Sequence, residues 1–210
     1  MIVCHKHKFV VLKSVRTGSN AFNIAIRNSG LIDEETDYVS HLKFLNIPHI
    51  GKSSDACWGI PELIRSDIIT QDQAETYNIY GVYRNPVDRF ISTCNLIRRE
   101  PSEHIYYEQI LNKNINDITY DDIISSAGCM IYGIFRAQSS RLNINNINII
   151  DYNSLSESIA SIITKYGGTV DIPVVNQSTV SMAGDITPEL IAKIEAHYSE
   201  DMLIEPNFII

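Results

Sequence analysis

Lys8-Phe-Val-Val-Leu-Lys-Ser-Val-Arg-Thr-Gly-Ser-Asn-Ala-Phe-Asn-Ile-Ala-Ile-Arg-Asn28 changes character twice along its length. Lys8–Leu12 is a short, apolar, β-branched run, the pattern of a buried strand. Ser14–Ser19 is a polar turn around Gly18, and Asn20–Asn28 carries Phe22, Ile24, Ala25 and Ile26 at helical spacing. Between strand and helix lie two cations, Lys13 and Arg16, the hydroxyls of Ser14, Thr17 and Ser19, and one glycine. Amide N–H groups at a helix N-terminus point into the preceding turn, and the helix dipole favours an anion there. Gly18 permits close backbone approach, Thr17 and Ser19 offer hydroxyl donors, and Lys13 and Arg16 supply charge. The junction therefore suits a phosphate, although an ordinary capped strand–turn–helix has the same outline. No Gly-x-x-x-x-Gly-Lys-Ser/Thr stretch occurs in the chain, so it is not a Walker A loop.

A second junction follows the same plan. Ile79–Tyr83 reads as a buried strand that stops at Arg84-Asn-Pro86, after which Val87, Phe90, Ile91, Cys94 and Ile97 recur at helical spacing. Asn85 as N-cap, Pro86 at the first helical position and Asp88 in the first turn make a coherent helix start. Arg84 ends its strand at the carboxyl edge, where open α/β sheets hold their ligands. Ser92 shares a helix face with Asp88 and lies roughly 10 Å into the helix. Two anion-suited junctions suggest a ligand with two separated phosphates. Asn146–Asp151 is a third strand candidate with a helix, Ser154–Tyr166, behind it. Thr187 and Pro188 open a last helix with Leu190, Ile191, Ile194, Tyr198 and Met202 on one stripe. Strands alternating with helices predict an α/β fold with a central, mainly parallel sheet flanked by helices. Residues from about 100 to 145 are polar and Asn-rich, and read as a helical insertion within one domain spanning 1–210.

Composition narrows the choice of function. Hydrophobic residues are 44% and charged residues 20% of the 210 positions, a balance that builds a core and excludes a disordered tail. The 17 basic and 25 acidic residues leave a net charge of -8. That excludes a nucleic-acid binder working by broad phosphate neutralisation, but not a small basic pocket for one anionic ligand. No apolar run approaches the roughly 20 residues that span a bilayer, and Met1-Ile-Val-Cys-His-Lys-His-Lys8 has no signal-peptide core. The expectation is a soluble cytoplasmic protein. Cys4, Cys57, Cys94 and Cys129 are widely spaced, which favours buried free thiols over disulfides or a zinc knuckle. His5 and His7 could reach a metal from one strand face, but no third ligand is near, and a polar strand edge is the expected role. Asp33, Glu34, Glu35 and Asp37 read as a solvated acidic face. Trp58, Tyr106, Tyr107 and Tyr132 suit either a groove that stacks on sugars or core packing.

Lys13-Ser-Val-Arg-Thr-Gly-Ser19 resembles the 5′-phosphosulfate loop of the sulfotransferases that use 3′-phosphoadenosine 5′-phosphosulfate (PAPS). Arg84-Asn-Pro-Val-Asp-Arg-Phe-Ile-Ser92 is similar to their 3′-phosphate motif, and is the most specific part of the resemblance. Gln138-Ser-Ser-Arg-Leu142, Ile149-Ile-Asp-Tyr-Asn-Ser-Leu155, Val175-Asn-Gln-Ser178 and Tyr198-Ser-Glu-Asp201 resemble later segments of the carbohydrate-type branch. The likeness spans most of the chain.

The resemblance implies a P-loop-like three-layer fold, PAPS as sulfuryl donor and 3′-phosphoadenosine 5′-phosphate (PAP) as product. The acceptor would be a hydroxyl or amine, foremost on a carbohydrate, with no metal required. Lys13, Arg16, Thr17, Gly18, Ser19, Asn20, Arg84 and Ser92 would bind the nucleotide. Arg16 stands where the family commonly places a Lys, and would stabilise the leaving 5′-phosphate oxygen with a planar, permanently charged fork; Lys13 is the reserve cation. Asn176 and Ser178 could close over the nucleotide, or simply form a surface turn. The general base is expected between the two motifs, where Ser53 replaces a common His; His49 is the choice, with Asp55 and His41 as alternatives. Two rival classes remain open: a nucleotide kinase or NTPase, and a non-catalytic nucleotide-binding protein that kept the fold. The first is disfavoured by the missing Walker Lys-Ser/Thr pair.

Overall fold

Ile2–Cys4 (β1) and Phe9–Val11 (β2) form an antiparallel hairpin in the computed structural model, which describes residues 1–33, 35–39, 58–99, 107–126, 133–172 and 181–210. Tyr38–Val39 (β3) pairs antiparallel with β1. Asn78–Tyr83 (β4) lies parallel to β2, and Ile147–Asp151 (β5) parallel to β4. The sheet order is thus β3-β1-β2-β4-β5. The class is α/β, but the sheet is mixed, which corrects the expectation of a mainly parallel one. The physical reason is the hairpin. Its turn, His5–Lys8, contains none of the Gly, Asn or Pro that usually mark a reversal, and Lys8 itself adopts the left-handed conformation with φ 54°. His5 and His7 therefore sit in a turn rather than on a strand edge.

The described residues fall into two compact units, Met1–Tyr83 with Gln138–Val175 and Glu205–Ile210, and Arg84–Ala137 with Asn176–Ile204. In the first, Ser19–Asn28 (α1) follows β2 and Leu155–Lys165 follows β5 after a short 3-10 turn at Tyr152–Ser154. Two short helices, Ile60–Arg65 (α2) and Gln71–Thr76 (α3), lead into β4. Alternation along the strands sends Ile2, Cys4, Phe9, Val11, Tyr80, Val82 and Ile150 to one face. There they form a core with Phe22, Ala25 and Ile26 of α1 and with Ile159, Ile162 and Ile163. The opposite face meets Leu142: a Cβ on Gly81 would stand 2.4 Å from its Cδ2. β4 is buried on both faces, the burial expected of a central strand.

Asp37 departs from the solvated role. Its carboxylate accepts from the His5 amide (2.6 Å), the Asp33 amide (2.9 Å) and the Cys4 thiol (3.3 Å), and so braces the end of β1. Cys4 and Cys94 are buried free thiols, while Cys57 and Cys129 lie outside the described residues. Burial, reinforced by Asp37, pushes the Cys4 thiol up to about 12. Burial likewise raises the phenols of Tyr80 and Tyr166, whose oxygens are 3.1 Å apart. The folded chain holds these protons more tightly than the unfolded chain. Their stabilisation is complete below the unfolded values of 9.0 for the thiol and 10.0 for the phenols, and is lost as pH climbs through the raised ones. The urea midpoint should therefore fall steadily above pH 9, and a flat profile to pH 12 would contradict it.

The second unit is helical. Pro86–Arg99 (α4), Tyr120–Ile124 (α5) and Pro188–His197 (α8) enclose a core of Phe90, Cys94, Ile97, Tyr107, Phe135, Leu190, Ile194 and Tyr198; between α5 and α8 in the chain come Ser139–Leu142 (α6) and the Leu155–Lys165 helix (α7) of the first unit. Asn85 Oδ1 accepts from the amides of Val87 (2.9 Å) and Asp88 (3.3 Å), and Thr187 Oγ1 from that of Leu190 (3.2 Å), as the capping residues foretell. Met202 is 39% exposed and leaves the stripe that buries Leu190, Ile194 and Tyr198. Tyr107 is a core residue, which removes it from the groove candidates; Tyr106 and Tyr132 lie outside the described residues.

Candidate functional site

The β2–α1 loop is shaped by two left-handed residues on either side of Thr17. Arg16 has φ 62° and Gly18 φ 73°, with Thr17 between them on the ordinary side. Alternating handedness of this kind turns successive N–H groups into a concave, anion-binding arrangement. An arginine in this conformation is strained by about 1 kcal/mol, and strain of this kind concentrates at functional sites. Gly18 caps α1 without a side-chain hydrogen bond, and its carbonyl accepts from the Phe22 amide at 3.2 Å. The first amides of α1 are those that an α-helix leaves without an intrahelical acceptor, and they carry about half a positive charge between them.

The loop is braced from beneath. The Ser14 carbonyl receives the hydroxyl protons of Thr17 (2.9 Å) and Ser19 (3.1 Å). Each hydroxyl has a single proton, so in this conformation neither offers one to an anion, contrary to their expected role as direct donors. Thr17 and Ser19 are buried and hold the loop's shape, next to the first amides of α1 and the charges of Lys13 and Arg16. Both cations are half-buried and already engaged with other groups. On the neighbouring side, a Cβ on Gly18 would stand 2.3 Å from Leu155 Cδ2 and 3.4 Å from Tyr152 Cε2. The β5–α7 junction thus packs directly against the loop, where Asp151 Oδ1 caps the turn by accepting from the Asn153 amide at 2.9 Å.

Two polar side chains of this region, the loop hydroxyl of Ser14 and the amide of Asn23, which sequence reading did not single out, are buried without partners among the described residues. Ser14 is 1% exposed, and its Oγ has no hydrogen-bond partner among the described residues. Asn23, also 1% exposed, is in the same state at both Oδ1 and Nδ2. The only signal in the sequence is an asparagine within the apolar stripe of α1.

Arg84 and Ser92 belong to the second unit. Arg84 immediately follows β4, Ser92 lies on α4, and both are half-buried with partners of their own. Arg89, the other cation of that motif, is a core residue. It is 1% exposed, with Nη2 3.7 Å from the carboxylate of Asp201 (0% exposed). Its Cζ stands 5.0 Å from the centroid of the Tyr198 ring. Helical periodicity places Arg89 beside Phe90, and the buried Asp201 brings its partner from the far end of the chain; it is not a ligand-facing cation. His49, Asp55, His41 and Ser53 all lie in the 40–57 stretch outside the described residues, as do Asn176 and Ser178. Among the described residues no group of three His, Cys, Asp or Glu side chains is arranged to hold a metal ion, and no helix is long and apolar enough to cross a membrane. No protein-family model, curated protein or solved structure matches the chain.

Proposed function

We propose that the chain is a sulfotransferase on a P-loop-like fold, moving a sulfuryl group from PAPS to a hydroxyl or amine acceptor, foremost a carbohydrate. The observation that carries this reading is the β2–α1 loop. Arg16 and Gly18 are both left-handed there, and the Ser14 carbonyl pins two hydroxyls beneath the helix N-terminus. A backbone cradle next to Lys13 and Arg16 suits the 5′-phosphosulfate, and the loop lacks the Lys-Ser/Thr pair with which P-loop kinases hold phosphate and Mg²⁺.

In the transfer, the acceptor oxygen forms a bond to sulfur as the bond from sulfur to the 5′-phosphate oxygen breaks. The electron pair leaves with PAP. Negative charge grows on that leaving oxygen, where the loop amides and Arg16 stabilise it. Arg16 is too weak an acid to donate a proton and acts through charge. The acceptor's proton passes to a base for which His49 is the sequence choice. Assignment of the 3′-phosphate to Arg84 and Ser92 belongs to the same proposal.

Calorimetric titration tests the reading. PAP should bind tightly, ATP with Mg²⁺ weakly; the reverse order would replace it with the kinase class. Arg84→Ala should weaken PAP far more than the analogue without a 3′-phosphate. Arg16→Gly relieves a strained φ at about the conformational cost that glycine adds, so stability should change by less than about 1 kcal/mol. Its turnover should nevertheless fall by about 100-fold, the scale of one lost charge-stabilising donor. Unchanged turnover would remove Arg16 from the chemistry.

A further inference from the structure

Among the described residues β5 is the outermost strand on its side of the sheet, and such an edge offers a row of amides and carbonyls to any passing strand. Residues 205–210 rejoin the first unit and take the groups that Ile147 and Ile149 turn away from β4. Asn207 Oδ1 accepts from the Ile149 amide (2.6 Å), and Asn207 Nδ2 donates to the Ile147 carbonyl (3.1 Å). In a parallel ladder, a residue facing Asn148 would make the same two bonds with its backbone. One carboxamide therefore imitates one residue of a strand. The segment itself is not a strand. The amides of Asn207 and Phe208 both donate to the Ile149 carbonyl, each at 3.0 Å, whereas successive amides of a strand point to opposite sides. Pro206 has no amide to give, so a ladder does not extend through it.

We infer that residues 205–208 are a releasable strap that closes the outer edge of β5, with the Asn207 carboxamide as its latch, and that release lets β5 pair with β5 of a second copy. Phe208 is the anchor: it is half-buried, packs against the main core, and sets its ring edge-on to Tyr80 with centroids 5.8 Å apart. Glu205, Pro206 and Asn207 are exposed. A segment held by one ring and a few solvent-facing hydrogen bonds opens at a lower free energy than the core strands. The edge beneath it is self-complementary. A two-fold axis sets Ile149 of each copy opposite that of the other in an antiparallel pair, where each amide donates to the other's carbonyl. Those are the groups the strap covers, so strap and second copy exclude one another. The inference is independent of what the β2–α1 loop binds.

The experiment follows amide hydrogen exchange at Ile149, together with sedimentation over a range of concentrations, for the wild-type chain and for Asn207→Asp. Aspartate keeps the shape and the acceptor for the Ile149 amide but sets an oxygen against the Ile147 carbonyl. In the wild type Ile149 should be protected to the same degree at every concentration. In dilute Asn207→Asp it should exchange about 10-fold faster or more, the scale of one broken hydrogen bond, while Val82 on the central strand keeps its rate. Concentrated Asn207→Asp should associate more strongly than wild type, and the protection of Ile149 should return. A wild-type Ile149 amide that exchanges freely, or one that Asn207→Asp leaves unchanged, would overturn the strap. Faster exchange without association at any concentration would overturn the pairing of two copies. Should Asn207→Asp not fold, Phe208→Ala frees the same segment from its anchor without touching β5, and the same outcomes decide.

Discussion

On the proposed sulfotransferase reading, Gly18→Val is expected to abolish binding of the phosphorylated nucleotide, and on any reading to lower folding stability by about 3 kcal/mol, from two additive causes. The backbone at Gly18 has φ 73°, where a β-branched side chain is strained by about 1–2 kcal/mol. The new Cβ would also stand 2.3 Å from Leu155 Cδ2 and 3.4 Å from Tyr152 Cε2. Leu155 can turn its terminal methyl aside only in part, because it packs against the main core of the first unit. Overpacking of this kind costs about 1–3 kcal/mol. Whatever relaxation occurs moves the loop carrying Arg16 and Thr17, so affinity falls with stability. Gly30 provides the control: it too is left-handed, with φ 75°, but nothing lies within 4 Å of a Cβ built there. Gly30→Ala should therefore show the backbone strain alone, about 1 kcal/mol, and bind nucleotide as wild type. Urea titrations and calorimetry on the two variants read both effects; equal affinities would show that the loop's shape does not matter to binding.

Arg89→Ala should be the most destabilising single substitution in the second unit, by about 3–5 kcal/mol, because it removes the guanidinium that faces the buried Asp201 carboxylate and leaves a cavity in the core. The pair is 3.7 Å apart with both side chains essentially inaccessible. The guanidinium is further held over the Tyr198 ring, whose hydroxyl donates to the Phe135 carbonyl at 2.8 Å. Cation–π attraction of about 1–2 kcal/mol compensates part of the desolvation of the charge. The same field lowers the titration of His197, through burial first and Arg89 second. Removing both charges at once, as Arg89→Met with Asp201→Leu, should cost much less than Arg89→Ala, since neither charge is then left buried alone. Urea midpoints of the two variants decide this. A double variant as unstable as the single one would show that packing of the Arg89 side chain, not its ion pair with Asp201, sets the loss.

Local signals carried much of this fold. The cap at Asn85 depends on interactions spanning three residues or fewer, such as Asn85 Oδ1 with the Val87 amide at 2.9 Å, and the loop of Ser14–Ser19 on bonds spanning five or fewer. Periodicity also located the β4 and β5 strands and the helices behind them, because a face that must be buried leaves its period in the sequence. The His5–Lys8 reversal escaped for the converse reason. Its turn has no residue that prefers a positive φ, so contacts distant in sequence hold it: the pairing Ile2↔Val11, Val3↔Val10 and Cys4↔Phe9, and the Asp37 carboxylate on the His5 amide.

The sequence by itself determined which residues could gather at the candidate site: Lys13, Arg16, Gly18 and the three hydroxyls share one short loop and need no tertiary contact to meet. Only the tertiary structure decided what each of them does. A side chain's role depends on where its proton or charge is satisfied, and those partners are set by packing. The Ser14 carbonyl takes the protons of Thr17 and Ser19. Asp201 draws Arg89 into a core. Asn23, unremarkable in a polar–apolar pattern, is buried on α1 with its amide unpaired among the described residues.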